Sequence, residues 1–133
     1  MATDQPPRIR AGQVTPAPDG PHVEQVGWGV ARQVARLLRE QVDDPLLAQL
    51  PELAEAPGHV VLVLFERRTA TAAALVELIG DTAYYRGDVV LPGAPEEARL
   101  ALLVRASYDA AAAGATWLAV PHPPVDLRAL GLA

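Results

Sequence analysis

The chain has 133 residues, half of them apolar and a fifth charged, which is enough for one ordinary globular domain with a buried core. Its formal net charge is −5, and its 11 basic residues, all arginine, form no cluster, so a nucleic-acid partner, which needs grouped cations to neutralise phosphates, is not expected. The absence of cysteine excludes disulfides, zinc–thiolate centres and cysteine nucleophiles.

Residues Met1 to Pro7 read as a loose tail on a single domain spanning 1–133. Arg8 to Val14 is a candidate edge strand on the strength of Ile9 and Val14, and Thr15 to Pro21 is a loop by composition. A helix is predicted from Glu24 to Gln41. Val26, Val30, Val34, Leu37 and Leu38 form its apolar face; Arg32, Gln33, Arg36, Arg39 and Glu40 form its polar one. Gly27 and Gly29 weaken its first turn. Asp43, Asp44 and Pro45 end it and begin a shorter helix over Leu46 to Ala54, interrupted or restarted at Pro51.

After the break at Ala56-Pro57-Gly58, Val60 to Phe65 is an unbroken apolar run, as in a strand buried on both faces. Thr71 to Ile79 and Thr82 to Leu91 follow as strands, joined by the short polar turns Glu66–Arg68 and Gly80-Asp81 into an antiparallel meander. A long helix is predicted to start at Pro95, where a missing N–H costs nothing, with Glu96 and Glu97 suited to the helix dipole. Leu100, Leu103, Val104, Tyr108 and Ala111 carry its period, and Gly114 stands where a C-terminal cap belongs. Trp117 to Val120 is then a strand parallel to Thr82–Leu91, because a strand–helix–strand crossover is right-handed. The loop Pro121-His122-Pro123-Pro124 and a short helix over Val125 to Leu130 close the chain. The fold class expected is α/β (α+β): a mixed sheet, an antiparallel meander plus a parallel strand–helix–strand unit, with helices on both faces.

That order of elements resembles the GNAT superfamily of acyl-coenzyme A N-acyltransferases. The likeness spans nearly the whole chain. It is sharpest at AYYRGDVVLPGAPEEARLALL, which is similar to the family's fourth strand, V-x-P loop and long helix, and it returns at DLRALGL, which looks like the closing L-Y-x-x-L-G-F. The resemblance implies that main-chain groups near Val90 and Leu91 pair with the pantetheine arm of acetyl-coenzyme A (acetyl-CoA). It also implies a glycine-rich R-x-x-G-x-G loop for the pyrophosphate. Aligned without a gap from Pro92, that arginine falls on Pro95 and the glycines on Glu96, Ala98 and Leu100. Two carboxylates then stand where phosphates would bind. The family's tyrosine acid falls on Leu127, which has no proton to donate. The final two strands of a full-length member lie beyond the last residue, which leaves Trp117–Val120 at a sheet edge and makes a homodimer covering that edge the expected assembly.

Other polar residues are weaker candidates. Asp88 and Glu77 are carboxylates on strands; either can be a general base for an amine, with Asp88 preferred, or a solvated strand-face group. Tyr84 and Tyr85 must point to opposite faces, one into the core and the other toward a cleft. His22, His59 and His122 are far apart, so no metal site is expected. Ser107 lies mid-helix without a histidine partner and is not a nucleophile candidate. Trp28 and Trp117 read as core or interface anchors, and Arg32, Arg36 and Arg39 as a solvated stripe. The function read from the sequence is a divergent GNAT-like domain with a degenerate cofactor loop, acetyl-CoA-dependent if active. The alternative is a non-catalytic binding or dimerisation module. No apolar run is long enough to span a membrane and Met1–Arg10 lacks a signal-peptide core, so a cytoplasmic setting is expected. Arginine in place of lysine, with abundant alanine and proline, gives a bacterial-like composition.

Overall fold

The computed structural model describes residues 7–13, 16, 21–95 and 97–120. Within them lie β1 (Arg8–Arg10), β2 (His22–Val26), α1 (Trp28–Arg39), α2 (Pro45–Glu55), β3 (His59–Glu66), β4 (Thr69–Ile79), β5 (Thr82–Val90), α3 (Ala98–Ala112) and β6 (Trp117–Ala119). The strands form one sheet in the order β1-β6-β5-β4-β3-β2. Only β5 and β6 are parallel; every other pair is antiparallel.

The middle of the sheet follows from the sequence. Val61, Leu62, Val63 and Leu64 of β3 are all fully buried, as an unbroken apolar run requires when both faces are covered. Leu62 and Leu64 pack toward α3, and Val61 and Val63 toward α1 and α2. Thr71–Ile79 is a strand. Its alanines, Ala72, Ala73 and Ala74, have no exposed surface and keep the middle of the sheet thin between the helical layers. Arg67 and Arg68 both adopt left-handed backbone (φ 50° and 67°) in the two-residue turn between β3 and β4, the conformation that matches strand twist.

Helix termini decide the element boundaries. In α2, Pro45 takes the first position and Asp44 Oδ1 accepts from the Leu46 N–H at 2.9 Å; the helix runs through Pro51 without a break. At the end of α3, Gly114 (φ +95°) donates to the Ala111 carbonyl at 3.0 Å while Ala115 donates to that of Ala110 at 2.9 Å, a Schellman motif.

Three expectations are corrected. First, His22–Val26 is a strand, not the start of a helix from Glu24. Val23 faces the α3 core and Val26 the opposite core, while Gly27, extended at φ −91° and ψ −172°, separates the strand from α1. The spacing of Val23, Val26 and Val30 satisfies a helix as well as a strand crossing two cores. Second, α3 begins at Ala98 and not at Pro95. The Ala98 N–H donates to the Pro95 carbonyl at 3.0 Å in a preceding turn, and Glu97 at the N-cap makes no side-chain cap bond. Third, β6 is not left at an edge. β1 pairs with it antiparallel, Arg8 opposite Ala119 and Arg10 opposite Trp117, and the Val120 N–H donates to the Pro7 carbonyl at 2.7 Å. The Arg8 guanidinium stacks 4.1 Å above the Trp117 ring. The reason given for a homodimer across that edge is therefore removed. The expected helix at Val125–Leu130, and with it Leu127, lies outside the described residues.

The turn after β1 is fastened to α3. The Gly12 N–H donates to both the Ser107 carbonyl (3.1 Å) and Ser107 Oγ (3.0 Å), which accounts for a serine that is 1% exposed inside a helix.

Candidate functional site

The site is set by where β5 and β6 part. Their pairing covers Thr82–Trp117, Ala83–Leu118 and Tyr84–Ala119 only, while β5 continues to Val90. Between Tyr85 and Val90 the edge of β5 turned away from β4 has no strand partner among the described residues. On the other side β5 stays paired: the Leu91 N–H donates to the Thr71 carbonyl at 2.9 Å. In an antiparallel ladder, alternate residues bond to alternate neighbours. Leu91 and Val89 therefore bond toward β4, and the main-chain groups of Asp88 and Val90 point into the opening. The main chain of Val90 therefore lies on the open edge of β5. Leu91 has its N–H committed to Thr71 and its carbonyl to the Ala94 N–H (3.0 Å), so its main chain faces away from the opening.

A β-bulge shapes the same stretch. Leu75 is opposite Gly87 and Val76 opposite Tyr85, which leaves Arg86 as the extra residue. The bulge turns Tyr85 and Asp88, three positions apart, to one face. The Tyr85 hydroxyl donates to Asp88 Oδ2 at 2.9 Å, and Arg99 Nε, on the second residue of α3, donates to Asp88 Oδ1 at 3.4 Å. The Asp88 side chain is 8% exposed. Burial, and next the Asp88 charge, push the Tyr85 phenol well above its ordinary value of 10.0, with Arg99 opposing. Both carboxylate oxygens of Asp88 are engaged on the α3 face.

The other strand carboxylate lies on the opposite face. Glu77 is directly across from Tyr84, the last β5 residue paired with β6. Glu77 Oε1 accepts from Arg86 Nε (2.9 Å), and Oε2 lies 3.3 Å from His59 Nε2. His59 Nδ1 is 3.0 Å from the Pro57 carbonyl. The Arg86 guanidinium covers the Tyr84 ring at 4.8 Å. His59, Glu77, Tyr84 and Arg86 form a half-open polar row across β3, β4 and β5, on the face away from Tyr85 and Asp88, that ends at Tyr84 where β5 and β6 part. Of the two tyrosines, Tyr85 is core and Tyr84 is half-buried at the vertex.

The remaining candidates are scattered. His22 pairs with Glu24 at 2.7 Å on β2, away from the vertex. Among the described residues no three metal-ligating side chains converge. Trp28 is 44% exposed on α1, with Arg32 stacked 5.3 Å from its ring, so it is not a core residue. None of the described helices is long and apolar enough to cross a membrane.

Searches by sequence match no protein-family profile and no curated protein. In structure the chain is similar to an aminoglycoside N-acetyltransferase, AAC(6')-Iy, in complex with a CoA-containing bisubstrate analogue: 18% identity and a TM-score of 0.65 over 86% of this chain and 92% of that one. It is also similar to a predicted acetyltransferase with acetyl-CoA from Clostridium acetobutylicum, at 10% identity and a TM-score of 0.59 over 86% and 90% of the two chains. The apo aminoglycoside 6'-N-acetyltransferase AAC(6')-IG from Acinetobacter haemolyticus matches at 14% identity and a TM-score of 0.58 over 83% and 85%. Identities this low speak for architecture, and by its meander, the parallel β5–β6 pair and these neighbours the chain has the GNAT fold of the acyl-CoA N-acyltransferases.

Proposed function

We propose that this chain is a divergent GNAT-type domain that holds an acyl thioester by its pantetheine arm and has lost the phosphate cradle, so that any N-acyl transfer from acetyl-CoA is inefficient. The open edge of β5 supports this reading. Asp88 and Val90 present main-chain donors and acceptors to the opening, and an extended chain with two amides, as pantetheine is, pairs with such an edge as an added strand does. The loop after β5 offers less to a phosphate. Pro92 and Pro95 have no N–H, and Glu97 sets a carboxylate at the α3 N-cap, where an anion would otherwise be favoured. The cation at the start of α3, Arg99, is already turned to Asp88.

On the acceptor side, Glu77 is better placed than Asp88 to take a proton from an amine. It lies on β4 across from Tyr84, the last β5 residue paired with β6, and is a quarter exposed where Asp88 is 8% exposed. A net charge of −5 draws cationic amines toward the chain. The neighbours named for aminoglycosides point to the same acceptor class.

The test is calorimetric titration with acetyl-CoA and with S-acetyl-pantetheine, which lacks every phosphate. Each charge-assisted amide–phosphate bond lost is worth roughly 1.5–3 kcal/mol, so a working cradle makes acetyl-CoA at least about 100-fold the tighter ligand. The expected result is weak binding of both within about threefold, with Glu97→Arg improving acetyl-CoA alone. Low-micromolar acetyl-CoA binding with a large gap to the pantetheine thioester overturns the loop reading. Binding of neither ligand overturns the thioester reading and favours a non-catalytic interaction module.

A further inference from the structure

The turn between β3 and β4 carries residues that its backbone does not favour. Arg67 and Arg68 occupy its two central positions, both left-handed, where asparagine and glycine fit with least strain. Both arginines are exposed, and Glu66 and Thr69 on either side of them form the last rung of the hairpin. Neither arginine takes part in an ion pair among the described residues. Turn stability alone gives no reason for two adjacent guanidiniums at this tip.

The tip stands at the wide end of the opening beside β5. Ala72 lies opposite Val90, and the Leu91 N–H donates to the Thr71 carbonyl, so Arg68 is only three residues beyond that pairing. At about 3.3 Å per residue this is within roughly 10 Å along β4. The pairing of β5 with β6 closes the opening at Tyr84. An arm lying along β5 therefore leaves the opening past Val90, at the end of the sheet where the arginines are.

We infer that the thioester is presented by a protein, an acidic carrier domain whose phosphopantetheine arm enters along β5 while its surface docks on the Arg67–Arg68 tip. This rests on the thioester reading above and names the source of the thioester. Pantetheine thioesters differ at their far end. Coenzyme A brings a diphosphate and a further phosphate, for which the loop before α3 offers Pro92, Pro95 and the Glu97 carboxylate. A carrier-borne arm brings a single phosphodiester, so it loses least with the cradle. Carboxylates of the carrier then pair with the two guanidiniums. On a chain of net charge −5 an acidic partner is repelled at long range, and exposed arginines beside the opening set where it lands.

The test titrates the full chain with a small acidic acyl carrier protein, acetylated on its phosphopantetheine arm or lacking the arm, and with free S-acetyl-pantetheine. At low salt the acetylated carrier should bind about tenfold or more tightly than S-acetyl-pantetheine, and the armless carrier more weakly than the acetylated one. Raising salt from about 50 to about 300 mM should weaken the carrier and leave the free thioester unchanged. The double substitution Arg67→Asn, Arg68→Gly suits the turn, so its melting temperature should stay at or above that of the parent. It should weaken the carrier about tenfold and leave S-acetyl-pantetheine unchanged. Carrier binding unchanged in that variant, or an acetylated carrier no tighter than S-acetyl-pantetheine, overturns the docking and spares the thioester reading. Equal binding of the acetylated and armless carriers, with none of S-acetyl-pantetheine, overturns the thioester reading and this inference with it.

Discussion

Replacing Tyr85 by phenylalanine isolates one hydrogen bond and one titration. At neutral pH the substitution removes the donor to Asp88 Oδ2 and leaves a carboxylate that is 8% exposed with Arg99 alone. A bond to a charged acceptor contributes about 1.5–3 kcal/mol, so a loss of about 2 kcal/mol is expected. For a chain of this length that is a fall of roughly 8 °C in melting temperature. The sign reverses at high pH. The Tyr85 phenol titrates well above its unfolded value of 10.0, so its contribution is complete below pH 10 and is lost as pH rises beyond it. The loss is about 1.4 kcal/mol per pH unit, and the phenylalanine chain is spared it. The two stability curves should therefore meet near about pH 11.5. The chain has neither lysine nor cysteine, and Tyr84 and Tyr108 are common to both proteins, so the difference between the curves belongs to Tyr85. Urea unfolding from pH 7 to 11.5, followed by circular dichroism, measures it. A gap that stays constant over that range, or one below about 0.5 kcal/mol at pH 7, would refute the buried Tyr85–Asp88 pair.

Two further substitutions probe the frame. Gly12→Ala places a Cβ 2.9 Å from Ala111 Cβ at a residue with φ +78°; strain and overlap together should cost about 2 kcal/mol, with amide exchange accelerating first at Ile9 and Arg10. Asp44→Ala removes the acceptor for the Leu46 N–H and should cost about 1 kcal/mol in thermal melts, with no change in thioester binding.

Local signals were sufficient for the centre of this fold. The apolar run of β3, the short turns around β4 and the Gly114 cap each act over a few residues, and those elements stand where sequence reasoning places them. β2 was hidden because Val23, Val26 and Val30 repeat at three and four, a helical spacing, while the strand buries residues on both faces. The paired weak helix formers Gly27 and Gly29 were the available clue that the helix starts later. The pairing of β1 with β6 is non-local and leaves no mark in either segment. At the candidate site the composition was legible but the facing was not. On a flat strand Tyr85 and Asp88 point to opposite faces; the bulge at Arg86 brings them together on the α3 side and leaves Tyr84 facing Glu77 on the other. A bulge depends on how β4 and β5 register, which neither strand alone encodes.

The seam between β1 and β6 also sets an order of events during synthesis. Arg10 leaves the ribosome about a hundred residues before Trp117, its partner. The meander and α1 can condense while β1 waits, and the seam closes only when the strand after α3 has emerged. Until then the side of β5 that carries the candidate site has no neighbour at all. Its geometry is acquired only once Trp117 has emerged, and the seam that flanks it depends on a strand made about a hundred residues earlier.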